Sequence, residues 1–472
     1  MFVQFSEASK YIADNYITMI DLKFSDLWGR WHHVTLPSHA FTEDIMNEGV
    51  GFDGSSVGFK SVQAGDMVLV PDLSTGFEDP FWEEKTLSFI CKTLEADTKA
   101  LFPGDPREVL HHANQYLKKR GYANDSLWGP EFEFYVFDHL SFTNDVNIAA
   151  YQVDSSEASW RSNDHNLSYT IPMHGGYHAI PPNDQLYNLR SEITQRLLKA
   201  GVPIKYHHHE VGGPGQCEIE TPLMPMPQAA DAVMLIKYFT KMTAINHGQV
   251  ATFLPKPLFG EAGNGMHFHQ QLLLNEKNAF YDADGIHRLS EVALYYIGGL
   301  LRHAPAVLAF TNPSTNSYRR LVPGYEAPIN SFFSIGNRSA AIRIPKYATQ
   351  PEEVRFEFRP PDATCNPYLA MAAMLLAGLD GIENKIDPTE AGYGPINEDI
   401  FSWSLEKRKT IKSLPTSLGD ALSALAEDRD FLTKDGIFPN AMIDQWVRAK
   451  NDEEYAVRSR PHPYEIQLYF DL

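Results

Sequence analysis

The 472-residue sequence predicts an α+β protein of two domains: a small mixed-sheet domain over 1–103 and a large α/β domain over 104–472. Three observations predict it. Before Thr98, short β-branched and aromatic runs are separated by Gly, Pro and Asp turns. The cluster Phe102-Pro103-Gly104-Asp105-Pro106 then breaks the pattern. Beyond Trp128, strands alternate with long segments of helical apolar period.

In the small domain the predicted strands are 16–23, 31–36, 68–71 and 87–92. Residues 107–119 read as an amphipathic helix, with Asp105 as its N-cap and Pro106 in its first turn. Further helices are expected over 184–200, 229–246, 289–309 and 367–384. Between them lie strands that carry charge at every second position. Burying such charge costs several kcal/mol unless it is paired or metal-bound, so chemistry is expected on those strands.

Composition narrows the function classes. A net charge of -20 and a pI near 5.3 argue against a nucleic-acid surface, which needs a basic stripe. Cys91, Cys217 and Cys365 are far apart and form no Cys-x-x-Cys pair, as expected of reduced thiols rather than a disulfide frame or zinc site. Residues 1–21 carry no apolar signal-peptide core, and no apolar run is read as approaching the roughly 20 residues a membrane helix needs. The expectation is a cytoplasmic protein without membrane or nucleic-acid partners.

Four strands concentrate the charge. In Gly129-Pro-Glu-Phe-Glu-Phe-Tyr135, period 2 puts Glu131 and Glu133 on one face and Phe132 and Phe134 on the other. Alone, this could be a solvated acidic edge strand. In His207-His-His-Glu210, followed by residues 212–220, Glu218 and Glu220 share a face and a Gly-rich turn returns Glu210 towards them. A surface hairpin or hydrogen-bonded core histidines are the alternatives there. His267 and His269 project together from a strand behind the glycine loop 260–265, and Arg355, Glu357 and Arg359 share a third face. Taken together, the oxygen-rich set with one or two imidazoles suits Mg²⁺ or Mn²⁺ and not a thiolate metal.

Arg319, Arg320, Arg338, Arg343, Arg355 and Arg359 crowd around the loop 322–328, whose Gly, Pro and single acid Glu326 read as a gate. Arginine pairs bidentately with phosphate and carboxylate, and it stabilises a phosphoryl group in transfer. No phosphate-binding loop or dinucleotide turn is present. Gly54-Ser-Ser-Val-Gly58 has the spacing of a hydrolase nucleophile elbow, but further strand and not a helix is expected after it.

At this point a family resemblance emerges. Phe52-Asp-Gly-Ser-Ser56, the Pro-Glu-Phe-Glu-Phe strand, His-His-Glu with Gly-Gln-Cys-Glu, Gly265-Met-His267, Asn312-Pro313, Arg320-Leu-Val-Pro-Gly-Tyr-Glu-Ala-Pro328, Asn337-Arg-Ser339, Asn366-Pro-Tyr368 and Pro461-His-Pro-Tyr-Glu465 resemble bacterial type I glutamine synthetase. The likeness runs in order along essentially the whole chain. It implies a β-grasp-like N-terminal domain and a catalytic domain with a curved antiparallel sheet flanked by helices. It implies ATP-dependent ligation of ammonia to the γ-carboxylate of glutamate through γ-glutamyl phosphate, with two or more Mg²⁺ or Mn²⁺ per site.

Residue by residue, the resemblance gives Glu133, Glu210 and Glu218 to one metal and Glu131, His267 and Glu357 to another. Arg320 and Arg359 would bind glutamate, with the loop at Gly263 closing over it. Arg338 and Arg343 would hold phosphate, Arg338 acting catalytically, and His269, Gln271 and Arg355 would serve ATP. Asp53, Ser56, Tyr177 and Glu326 match the ammonium pocket, Asp53 as the base and Glu326 beside it. The family assembles as a dodecamer of two stacked hexameric rings, in which the N-terminal domain completes the neighbouring subunit's site. Departures accompany the match. Ala262 stands where the family usually has Asn, with Asn264 as a nearby stand-in, and Lys205 stands at an often acidic position. Residues 346–353 differ from the usual ATP-contact loop. Phe401 replaces the tyrosine that some members adenylylate, so that control is expected to be missing. The alternatives are a γ-glutamyl-amine (polyamine) ligase, a catalytically dead relative and a guanidino kinase.

Overall fold

The computed structural model describes residues 2–160, 169–324, 327–398, 400 and 403–472. Two sheets organise them. The first has six strands, in the order Trp31–Pro37, Met19–Ser25, Thr86–Glu95, Asp66–Pro71, Val50–Asp53, with Phe77–Asp79 also paired to Thr86–Glu95. Met19–Ser25 runs parallel to Thr86–Glu95 and the other pairs are antiparallel, so the sheet is mixed, as expected. The strand expected from 16 begins at Met19, because Tyr16 is an exposed turn residue with φ 55°. Helix Phe5–Asp14 was not foreseen; it buries Ala8 against a small core that includes Ile20, Leu22 and Phe89.

At the junction, the Asp105 carboxylate accepts from Arg107 N at 2.9 Å and Thr93 N at 3.0 Å, which caps helix Pro106–Arg120 as predicted. Burial holds the Asp105 carboxyl up at about 6 against those bonds. Arg107 pairs with Asp72 at 3.0 Å and Asp231 at 2.8 Å, joining the two parts of the chain. On the same interface Trp28 stacks on Trp446 at 5.4 Å, and the Asn366 amide donates to the carbonyls of Asp26 and Leu27.

The second sheet has ten strands. Seven form its path: Tyr206–His209, Gln216–Glu220, Asp125–Phe137, Met266–Leu274, Phe356–Phe358, Ala340–Ile344, Asn330–Ile335. Its pairs are antiparallel except the last, Asn330–Ile335 with Ala340–Ile344, which is parallel. The expected antiparallel sheet is therefore mixed at one edge; side-chain alternation reports a strand's faces, not its direction. Phe132, Phe134, Ile219, Met266, Phe268, Phe356 and Phe358 turn to one face and are fully buried in the main core. The helices Tyr187–Lys199, Met226–Asn246, Glu291–Thr311 and Pro367–Glu383 contribute to the same core.

Helix bounds shift for local reasons. Asp184 stands outside the helix expected from 184, because it accepts from Leu186 N and pairs with Arg190 at 2.5 Å. Ser290 caps the next-but-one helix by accepting from Ala293 N, which moves its start to Glu291. That helix corrects the membrane reading, since Glu291–Thr311 is long and apolar enough to cross a bilayer by length and composition. It is an internal helix, 72% buried over its most apolar window, apolar all round because it is surrounded by other helices. Hairpin His139–Asp145/Ile148–Asp154 and helices Leu418–Glu427, Asn440–Arg458 and Pro463–Tyr469 were not anticipated.

Candidate active site

The site is built by register across the second sheet. His208 stands opposite Glu218, Glu218 opposite Glu133, Glu220 opposite Glu131, and Glu131 opposite His267. One step along, His269 stands opposite Glu357 and Glu357 opposite Arg343. Directly opposed residues have Cβ atoms about 5 Å apart on one face. Residues distant in sequence thus become one charged floor.

Two groups on that floor could hold a cation. His267 Nδ1 lies 3.1 Å from Glu131 Oε2 and 3.3 Å from Glu357 Oε1, and all three offer ligand atoms within 4.8 Å of one another. The second group is His208, Glu210 and Glu218, also within 4.8 Å. In this second group His208 joins Glu210 and Glu218, and Glu133 of the expected triad stands beside them with Oε2 accepting from Gly265 N at 2.5 Å. A third set, Glu131, Glu220 and His269, meets the same distance limit. In it His269 Nε2 lies 2.6 Å from Glu131 and Lys205 2.5 Å from Glu220, while Glu220 Oε2 and His269 Nδ1 are buried without hydrogen-bond partners.

Electrostatics separates the two groups. Burial, then Glu133 and Glu218, push the Glu210 carboxyl up to about 9, and burial with Glu131 and Glu133 raises Glu218 well above the carboxylate range. Glu210 Oε2 is buried without a hydrogen-bond partner. An orphaned oxygen among mutually repelling acids is what a divalent cation would satisfy, so the residues fit one. Glu131 and Glu357 are instead lowered: burial opposes their charge, but His269 and His267 outweigh it for Glu131, and Arg359 leads the groups that do so for Glu357.

A cavity of about 930 Å³ opens on this floor. Of the residues expected at the site, Glu131, Glu133, Glu210, Glu218, His267, Glu357, Tyr177, Gly263, Arg320, Arg338, Arg343 and Arg359 all line it. Arg343 and Arg359 flank Glu357 at 2.6 and 2.5 Å. Buried Arg320 donates to the carbonyls of Pro360, Pro361 and Arg359, and its Nη2 reaches within 3.3 Å of His267 Nε2.

Other expected residues lie elsewhere. His269 is buried behind Glu131. Gln271 is buried too, donating to the carbonyls of Glu352 and Val354 at 2.8 and 3.1 Å, and so braces the 352–354 segment. Arg355 donates to Glu353 O and rests 5.6 Å from the Tyr347 ring. Asp53 ends a strand of the first sheet, away from the cavity lining. Bonds from Ser56 Oγ at 2.6 Å and from Ser55 hold its carboxyl below its usual value. Turns, not a helix, follow Gly54, which removes the nucleophile-elbow reading. Glu326 and Phe401 lie outside the described residues.

Asn264 does not stand in for the amide missing at Ala262. It is fully buried, accepting from Gln216 and donating to Leu254 O at 2.8 Å. Sequence reasoning gave no role to His208 or to His178 beside it. Tyr177 stacks on His178 at 4.2 Å, and His178 meets His208 at 4.5 Å. The signal was available: His208 alternates in phase with Glu210, the acid already singled out.

Comparison with known proteins agrees along the full length. The family model described as "Glutamine synthetase, beta-Grasp domain" matches residues 16–96, and "Glutamine synthetase, catalytic domain" matches 103–469. A glutamine synthetase of Frankia alni is 44% identical over 478 residues, covering 100% of both chains. The cryo-EM structure of Plasmodium falciparum glutamine synthetase gives a TM-score of 0.89 at 28% identity, over 99% of each chain. A GmaS/ADP complex gives 0.81 at 26% identity, over 98% of this chain and 99% of the other.

Proposed function

This chain belongs to the glutamine synthetase family and makes glutamine, and we propose that it does so by ATP-dependent ligation of ammonia to the γ-carboxylate of glutamate, releasing ADP and phosphate. The observation that carries the mechanism is the cavity where an acidic floor and His267 converge with Arg320, Arg338, Arg343 and Arg359. The ADP in the GmaS complex supports a nucleotide in the same fold.

Glu131, His267 and Glu357 would hold one Mg²⁺ or Mn²⁺, and Glu210 and Glu218, with Glu133 or His208, a second; such ions offset the charge of phosphates and carboxylate as they approach. Arg320 and Arg359 bind the glutamate carboxylate beneath the Gly263 loop. A γ-carboxylate oxygen attacks the terminal phosphorus of ATP, the bond to ADP breaks, and Arg338 and Arg343 stabilise the phosphoryl group between them. Asp53 takes a proton from ammonium at a carboxylate oxygen, in a pocket shared with Ser56, Tyr177 and Glu326. The freed ammonia lone pair attacks the acyl carbon of γ-glutamyl phosphate, the nitrogen of the adduct gives up a second proton to a carboxylate of the same pocket, and phosphate leaves with the C–O pair.

Asp53 and Ser56 of the same chain are not among the residues lining the cavity, which supports completion of each site by a neighbouring subunit's N-terminal domain. The C-terminal helix supports a homo-oligomer, in our reading a dodecamer of two stacked hexameric rings: Ile466, Tyr469 and Phe470 are 57%, 59% and 80% exposed. Three free, buried cysteines suit a reducing cytoplasm.

Phosphate release from ATP with Mg²⁺ and glutamate, compared with and without ammonium, methylamine and a polyamine, tests the reading. Ammonium is expected to stimulate release, with glutamine as product. Turnover with the organic amines alone would transfer the chain to the γ-glutamyl-amine ligases and direct attention to Ala262.

A further inference from the structure

We propose that Gln216 is a positioning residue that couples the cation-binding turn to the glutamate loop, an inference that rests on the site reading above. Gln216 opens the Gln216–Glu220 strand and is fully buried. Its Oε1 accepts from Gly212 N at 2.7 Å, in the turn that carries Glu210. Both Nε2 hydrogens point the other way: one goes to Gly263 O and one to Asn264 Oδ1, each at 3.0 Å. The amide thus has one end in each loop and no donor to spare.

Among the described residues one other direct tie joins these segments, the Glu261 carboxylate accepting from Gly213 N. The turn is fixed to the strand by Glu210 N donating to Gln216 O at 2.9 Å. The glutamate loop hangs from the sheet by successive residues: Ala262 O accepts from Tyr135 Oη at 2.8 Å, Gly263 O and Asn264 Oδ1 accept from Gln216, and Gly265 N donates to Glu133. Tyr135 stands directly opposite Gln216 in the sheet. Its hydroxyl also abuts the turn, since a Cβ on Gly212 would come within 2.0 Å of it. Because Gln216 is fully buried, losing one of its partners leaves the remaining polar group costly to satisfy. Settling of the Glu210 turn around a cation is therefore passed to the loop over glutamate, and by linkage glutamate tightens the cation equally.

The test uses the full-length protein. Mn²⁺ binding is followed by the loss of the free-ion EPR signal, and glutamate binding by calorimetry with and without saturating Mn²⁺. In wild type, Mn²⁺ is expected to tighten glutamate binding. Gln216→Met keeps the length of the side chain and removes all three bonds. Its Mn²⁺ affinity in the absence of glutamate should stay within about twofold, while the Mn²⁺-dependent gain for glutamate falls by about tenfold. Tyr135→Phe, an isosteric change that removes only the parallel tie, should reduce that gain by about threefold; it keeps the proposal open to refutation if the Met variant does not fold. An undiminished gain in either folded variant overturns the coupling role. So does a glutamate affinity that falls equally with and without Mn²⁺, the mark of a purely structural residue. Failure of wild type to bind Mn²⁺ at all would instead sink the cation reading of the site.

Discussion

Arg343 Nη1 stands 2.6 Å from Glu357 Oε2, across the strand pairing that sets the two residues opposite each other. Glu357 is fully buried, and its other oxygen is taken by Arg359. Arg343→Met leaves that charge half-compensated, and should destabilise the cation-free protein by about 1–3 kcal/mol. A cation beside Glu357 supplies the missing charge, so thermal melts with and without Mg²⁺ should show a larger metal-induced rise in the variant than in wild type. Equal rises would break the link between Arg343 and the cation group.

His267 offers the only imidazole of its group. His267→Ala should weaken the corresponding Mn²⁺ by about 100-fold, at or beyond the upper end seen when mere supporting partners of a ligand are lost, and leave the other site in place. Titration followed by EPR should then show one class of bound ion where wild type shows two.

Asp53 and Arg359 are expected to act from different subunits. Asp53→Ala and Arg359→Ala should each be inactive alone. Mixed, dissociated and reassembled, the two variants should recover part of the wild-type rate, because some interfaces then pair one intact half-site with the other. A mixture as inactive as its components would place both residues in one chain's site.

His303 gives a pH dependence remote from the cavity. Its Nε2 lies 2.9 Å from Asp380 and its Nδ1 2.7 Å from Asp428, while Lys434 bridges Asp380 and Glu383. Burial disfavours its charge, but the bonds to Asp380 and Asp428 prevail and raise its pKa. A raised folded pKa adds stability that is complete below the ordinary histidine value, about 6.5, and is lost as pH climbs through the folded value. Asp380 has the opposite sign: burial raises it, His303 and Lys434 prevail and lower it, and its contribution disappears only in acid. Urea melts at about pH 6 and about pH 9 should show lower stability at the higher pH. His303→Gln should flatten that difference, and an unchanged slope would rule the cluster out as its source.

Much of the site was legible because strand alternation is a direct signature. Glu131 with Glu133, Glu218 with Glu220, and His267 with His269 each share a face, as the two-residue period requires. What alternation does not contain is register. Only pairing shows that His208 is level with Glu218, or that His269 turns behind Glu131 instead of into the cavity. Asn264 looked available as a substitute amide until its two ends were seen to be occupied. The separation of Asp53 from the cavity depends on how the two sheets dock, through contacts such as Trp28 on Trp446, and no local pattern encodes that.

The same floor bears on how the sheet assembles. A slip of one residue in the Gln216–Glu220 strand would exchange its faces, sending Glu218 and Glu220 among Phe132 and Phe134 and lifting Cys217 and Ile219 into water. Each misplaced carboxylate would be costly to bury, by about 2–7 kcal/mol or more. Correct and shifted pairings are thereby far apart in energy before any substrate or ion is present. The acids proposed to hold the cations also act as proofreaders of the strand alignment, so their replacement by uncharged residues should loosen the fidelity of refolding as well as the chemistry.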